Sequence, residues 1–258
     1  MEPTRTATNI ETGNAPAEGS DYERHWMNAL RAVTPEFIRR LRQKRRYARS
    51  QRACNGLTVE KTFELIYRTN LWGGRSGEFY SGHGSDAEFA RPYCEMLRQF
   101  IRERHIQSVV DIGCGDFRVG RNIVTPGLSY LGLDVVPPLV ERNQQQFGSE
   151  RVQFQVFNAI ESIPPAADLC LIRQVLQHLS NEQVLAVLGN CRSYPHLIIS
   201  EHLILDGRVP FNVDKPHGAD LRCSGLVFDL APFNLKTETL LEVPLTENET
   251  IRTVLIRY

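Results

Sequence analysis

Ser108-Val109-Val110-Asp111-Ile112-Gly113-Cys114-Gly115-Asp116 decides the fold of this 258-residue chain. A mostly apolar run that breaks at Gly-x-Gly reads as a buried strand turning sharply. Two glycines two apart permit a tight turn and let a ligand lie against bare backbone. Downstream, strand patterns recur at Tyr130–Leu133, Val152–Phe157, Asp168–Ile172 and His196–Ser200, with helices expected between them. Pro137 and Pro138 suit the first turn of one helix that ends near Gly148, and Ser180-x-x-Gln183 caps another. Apolar strands alternating with helices mean a parallel sheet covered on both faces. Two closing strands, about Thr237–Val243 and Ile251–Arg257, read as a hairpin. Upstream, Ser85-x-x-Glu88 has the form of a capping box. It opens a helix to about Arg104 with Ala90, Tyr93, Cys94, Leu97, Phe100 and Ile101 on one face.

The spacing around the loop discriminates between ligands. Dinucleotide enzymes use G-x-G-x-x-G, whose third glycine lets the helix pack closely. Here that position is Arg118 and the next glycine is Gly120. A loop of the form hydrophobic-Asp-x-Gly-x-Gly also serves S-adenosylmethionine (SAM), which has no phosphate and needs no third glycine. Asp134 ends the second strand, 19 residues after Gly115. An acidic group there accepts hydrogen bonds from both ribose hydroxyls, or caps the next helix; the separation from the loop favours ribose. Asn158 ends the third strand and is either an adenine partner or a turn residue.

Composition sets the outer limits. Hydrophobic residues are 41% and charged residues 23%, with 30 Lys+Arg against 30 Asp+Glu, so the chain is neither wholly disordered nor membrane-embedded. No stretch approaches a membrane span, and Met1–Ser20 lacks the apolar core of a secretory signal. Residues 1–20 read as a disordered tail, 21–84 as a helical and basic segment with a glycine-rich lid, and 85–258 as the main domain. The run Arg39–Arg52 holds eight basic residues and no acidic one, leaving 22 against 30 elsewhere, a net of −8. It is an anion-binding patch or a solvated helix face. Residues 58–69 read as a helix with Val59, Phe63, Ile66 and Tyr67 on one side. Asn70–Ser85 combines glycines with Trp72 and Tyr80, which suits a lid or pocket wall over a ligand. Six scattered cysteines with no C-x-x-C pair read as reduced thiols in a cytoplasmic protein.

In order, VVDIGCG, YLGLD, FNA and DLCLIRQVLQHL resemble the class I SAM-dependent methyltransferases over roughly Ser85–Tyr258. The resemblance implies a Rossmann-like α/β fold, with a seven-stranded, mostly parallel sheet and a final antiparallel strand. It implies SAM held by Asp111, Gly113, Cys114, Gly115, Asp134, Val135, Asn158 and Ala159. A narrower set is Asn70–Gly74, Ser81–Ser85, Cys114–Phe117, Arg173–Leu179 and Asn212–Arg222. It is similar to a bacterial group, some of whose members occur in capsule and surface-glycan gene clusters. This chain departs from that group at Arg118-Val119-Gly120, where a tryptophan is common, and at Gln174, where an aspartate is common.

Methyl transfer is an in-line displacement that requires alignment of two partners, and a hydroxyl acceptor also needs a base. His178 after the fourth strand and Glu201 after the fifth are the candidate bases. Each has a structural alternative. Arg173 suits the cofactor carboxylate, an acidic acceptor or a structural ion pair. No metal-ligand spacing is visible. Residues 203–235, with Asp214, Lys215, His217, Asp220 and Arg222, form a long irregular loop that, with the Trp72–Ser85 segment, is expected to close over the acceptor. Trp72, Tyr80, Asp220 and Arg222 are the substrate-binding candidates. The polar content suggests a small polar acceptor such as a sugar, a glycan or a phosphorylated metabolite. The alternatives are an RNA or protein methyltransferase using the basic run, and a SAM-binding protein without catalysis. A nicotinamide oxidoreductase is disfavoured by Arg118 and the lack of Tyr-x-x-x-Lys. Oligomeric state is not legible.

Overall fold

The computed structural model describes Ala48 and residues 50–258 except Ser76 and Asp206. The expected tail 1–20, the start of the expected helical and basic segment and most of the basic run lie outside the described residues. Residues Arg49–Tyr258 form one compact unit.

Helix α1 (Val59–Arg68) begins at Thr58, whose hydroxyl accepts from the Lys61 N–H, and buries Val59, Phe63, Ile66 and Tyr67. Helix α2 (Ala87–Glu103) buries the predicted stripe from Ala90 to Ile101. Then follow β1 (Ser108–Ile112), β2 (Ser129–Asp134), α3 (Pro137–Phe147), β3 (Val152–Val156), β4 (Leu169–Arg173), α4 (Asn181–Asn190), β5 (His196–Ile204), β6 (Lys236–Thr246) and β7 (Glu249–Arg257). The sheet order is β3-β2-β1-β4-β5-β7-β6, with β1 to β5 parallel and β7 antiparallel to both β5 and β6. The seven-stranded sheet and the closing hairpin are as expected. Central strands read Leu-Cys-Leu-Ile and Leu-Ile-Ile and are buried on both faces, which is why their sequence is continuous rather than alternating.

Four local expectations are corrected. Ser85 does not cap α2: its hydroxyl donates to the Gly82 carbonyl, and Asp86 is the N-cap residue without a side-chain cap bond. The Asp86 carboxylate instead takes the Tyr80 hydroxyl and the His83 ring. No helix links β1 to β2; a single 3-10 turn, Gly120–Asn122, takes its place. A Cβ on Gly120 would lie 2.4 Å from the Tyr130 hydroxyl, so this connection is pressed onto the sheet under Phe117, Tyr130 and Phe154. No helix links β3 to β4 either. Finally, β5 continues through Ile204, so Glu201 and His202 lie inside a strand, opposite Arg252 and Ile251 of β7, not in a loop after it.

Candidate active site

The chain leaves β1 toward β2 on one side and reaches β5 from β4 on the other. The carboxyl ends of β1 and β4 therefore flank the switch point where ligands of open α/β sheets bind. Gly113 (φ 70°) and Gly115 (φ 56°) turn the chain there in the left-handed region that glycine adopts freely. The Gly113 and Cys114 N–H groups both donate to the Leu133 carbonyl at 2.7 and 3.1 Å, which locks the turn to β2.

Asp134 ends β2 as expected. Its Oδ2 accepts the Gly115 N–H and its Oδ1 the Val136 N–H, both at 3.1 Å. Each oxygen keeps lone-pair capacity beyond the bond it accepts, and the carboxylate joins the loop to the next helix. Burial raises its pKa to about 6. Asp111 does not face the loop's backbone; it accepts the Tyr130 hydroxyl at 2.5 Å, and burial raises it also to about 6. Cys114 is buried, with its thiol pushed far up by desolvation. Val135 is half-buried against the core beside Asp134. Asn158 spends its side chain locally, donating to Glu60 at 2.6 Å and accepting the Ile160 N–H, while buried Ala159 gives its carbonyl to Asn190.

Sequence reasoning missed the roof over this loop. Ser81 Oγ accepts the Asp116 N–H at 2.8 Å and bonds the Tyr67 hydroxyl at 3.0 Å. A Cβ on Gly115 would stand 2.3 Å from Ser81 Oγ and 3.3 Å from the Tyr67 hydroxyl. The helical periodicity marks Tyr67 only as core; its ring is core and its hydroxyl reaches Ser81 over the loop. Arg118 ties the same segment down, lying 4.9 Å over the Tyr80 ring and pairing with Glu78, Asp86 and Asp116 at 3.2 to 3.5 Å. Burial and the Asp86 bond push the Tyr80 hydroxyl to about 12.

At the end of β4, Arg173 donates to the Gly84 carbonyl at 2.8 Å and stacks on Tyr93 at 5.1 Å, while its Nε has no partner. Desolvation lowers its pKa, with Tyr93, Cys94, Asp111 and Glu201 opposing that shift. His178 is buried beside Trp72, ring centroids 5.0 Å apart, with its Nδ1 3.2 Å from the Gly218 carbonyl. Burial, reinforced by Lys215, lowers it to about 3, which keeps the ring neutral and makes it a weak proton acceptor. Glu201 is buried too. Its Oε1 accepts the Val175 and Leu176 N–H groups and its Oε2 the Gln177 N–H, so it holds the turn after β4. Burial raises it to about 8.

The long loop meets the lid directly. Trp72 donates its indole N–H to the Ala219 carbonyl at 3.0 Å, and Lys215 donates to the Asp220 carbonyl at 2.9 Å. Arg222 is buried and braces the loop by donating to the Val213 and Leu179 carbonyls. Of the four substrate-binding candidates, Trp72, Asp220 and Arg222 thus gather around His178 and Lys215, whereas Tyr80 sits on the Arg118 side of the loop. The Trp72 indole bond to Ala219 joins the two loops. No sequence spacing encodes it, because Trp72 and Ala219 are 147 residues apart.

Residues 110–194 match the family model described as a methyltransferase domain. No curated protein matches the chain. Among solved structures, TnmH is 20% identical over 93% of this chain and 70% of its own, with a TM-score of 0.50. Magnesium protoporphyrin IX methyltransferase ChlM from Synechocystis PCC 6803 is 15% identical over 78% and 98%, TM-score 0.49. An O-methyltransferase family protein from Burkholderia thailandensis is 14% identical over 66% of this chain, TM-score 0.48; the chain spans only 56% of that protein's length. The TnmH likeness is one of fold. The Gly113–Gly115 loop and Asp134 both lie within the stretch that matches the methyltransferase-domain model.

Proposed function

We propose that the chain transfers the methyl group of SAM to a small polar acceptor, a sugar or glycan or a phosphorylated metabolite. The observation that carries the cofactor end is the Asp134 carboxylate: it already fixes the Gly115 N–H and retains the lone pairs that a ribose diol needs. The residues fit this cofactor. Asp134 would hold the ribose, the Gly113–Gly115 backbone the amino-acid end, and Arg173 its carboxylate. Val135 and the Asn158–Ala159 backbone would line the adenine. When bound, the cofactor supplies an activated methyl group, and the protein supplies alignment.

The acceptor end rests on the residues around the end of β4. Trp72 offers a flat apolar face, and Lys215, Asp220, Arg222 and His217 supply polarity. Burial lowers Lys215 to about 8. Trp72 is joined to the loop after β5 at Ala219. His178 and Glu201 position the walls: one through Gly218, the other through the 175–177 turn. A role for either as proton acceptor requires it to leave those bonds. Two experiments test the proposal. Calorimetric titration with S-adenosyl-L-homocysteine should give a one-to-one isotherm. Radiolabelled SAM offered with free hexoses, hexose phosphates and nucleoside-diphosphate sugars should label one of them. Cofactor binding with no labelled product in that panel would refute the acceptor class.

A further inference from the structure

Gln174 is the residue that follows β4, and it has φ +56°. Left-handed backbone is uncommon for a residue with a Cβ, and where it occurs it is held by its surroundings and often serves a site. Here the surroundings are visible. The Gln174 N–H donates to the Ser200 carbonyl at 2.7 Å. On one side Arg173 grips the Gly84 carbonyl. On the other, Val175 packs so closely over Gly113 that a Cβ there would meet its Cγ2 at 2.3 Å. The Gln174 amide lies flat on Gly84, where an added Cβ would stand 1.8 Å from Oε1. The side chain is half-buried, and its amide makes no hydrogen bond to any described residue. A polar group is thus held in strained backbone at the switch point, between the lid and the cofactor loop, with both its donor and its acceptor unspent.

We infer that Gln174 is the specificity-determining residue for the acceptor, orienting a neutral hydroxyl- or amide-bearing group through its side-chain amide. This rests on the polar-acceptor reading above. The amide offers an N–H donor and a carbonyl acceptor at fixed spacing, which matches a group able both to donate and to accept, such as a sugar hydroxyl. It carries no charge, so it neither repels a sulfonium nor deprotonates the acceptor. Its job is alignment.

The test uses the full-length chain and the panel member that wild type methylates. Gln174→Gly removes the amide and relieves the left-handed backbone. Its homocysteine-cofactor affinity should stay within about two-fold of wild type, its thermal midpoint should hold or rise, and its acceptor KM should rise about ten-fold or more with kcat largely kept. Gly84→Ala, whose methyl displaces the amide without removing it, should raise the same KM. A fall in midpoint or a ten-fold loss of cofactor affinity in Gln174→Gly would make the residue a structural or cradle element and overturn the assignment. An unchanged KM in both variants overturns it and leaves the methyltransferase reading standing. If wild type binds cofactor but labels no panel member, the acceptor reading fails and this assignment falls with it.

Discussion

Asp134 allows the cofactor assignment to be tested through pH. Burial raises its carboxyl from 3.8 to about 6. The folded-state value is thus above the unfolded one, so this group's stability contribution is greatest in acid. Between 3.8 and 6 the unfolded chain releases the proton while the folded chain keeps it. Stability without ligand therefore falls as pH rises through that window, by about 3 kcal/mol in all, and is flat above it. Cofactor affinity runs the other way, because the ionised carboxylate is the better acceptor for two ribose hydroxyls. Affinity for S-adenosyl-L-homocysteine should be constant above pH 7 and about ten-fold weaker at pH 5, following the lost fraction of carboxylate.

Calorimetry from pH 5 to 8 on wild type and Asp134→Asn separates the causes. Asparagine cannot ionise, so that variant's affinity should be flat with pH. It should also be at least about a hundred-fold weaker at pH 7, since hydrogen bonds to a charged acceptor contribute roughly 1.5 to 3 kcal/mol each. Asp111 is the competing titration, raised to about the same value but bonded to Tyr130. A pH slope that survives in Asp134→Asn belongs to Asp111, and would sink the ribose assignment. So would a wild-type affinity that ignores pH across this range.

Other substitutions probe the supports. Gly115→Ala places a methyl 2.3 Å from Ser81 Oγ in left-handed backbone; it should cost about 1 to 2 kcal/mol in urea denaturation, and less when Ser81→Ala is already present. Glu201→Ala strips the acceptor from three N–H groups of the turn after β4 and should cost about 3 kcal/mol or more; a loss under 1 kcal/mol would show that water replaces it. Tyr130→Phe removes the hydroxyl that holds Asp111, moving that carboxyl further up from about 6. The stability deficit should be about 1 to 3 kcal/mol at pH 8 and smaller at pH 5, where Asp111 is protonated; an equal deficit at both would assign the loss to packing alone.

The parts legible in the sequence are those with local causes. Apolar runs name the strands, Gly-x-Gly names the turn after β1, and Ser180-x-x-Gln183 forms the capping box it spells. Asp134 is legible because its distance from the loop equals one strand–turn–strand crossing. The same pattern failed at Ser85-x-x-Glu88, where Ser85 and Asp86 spend their side chains on Gly82, Tyr80 and His83 of the preceding turn instead of capping α2. It failed again after Gly115, where Gly120 lies under Tyr130 and leaves no space for a helix. His178 follows β4, whereas Glu201 lies inside β5 rather than after it. Their roles were not legible, because chemistry depends on which lone pairs are already spent, and those partners are 40 and 24 to 26 residues away.

What joins the two halves of the site is the geometry of the lid. One segment, Trp72 to Asp86, meets the cofactor loop through Ser81, the end of β4 through Gly84, and the long loop through Trp72. Displacing it at one point therefore disturbs all three. Tyr67 and Ser81 close the cofactor side only while the Asp116 N–H is in register, and Gly84 lies on Gln174 only while Arg173 holds its carbonyl. If cofactor and acceptor seat on either side of this strap, each should change the other's affinity by the same factor, which calorimetric titration of each with and without the other would check.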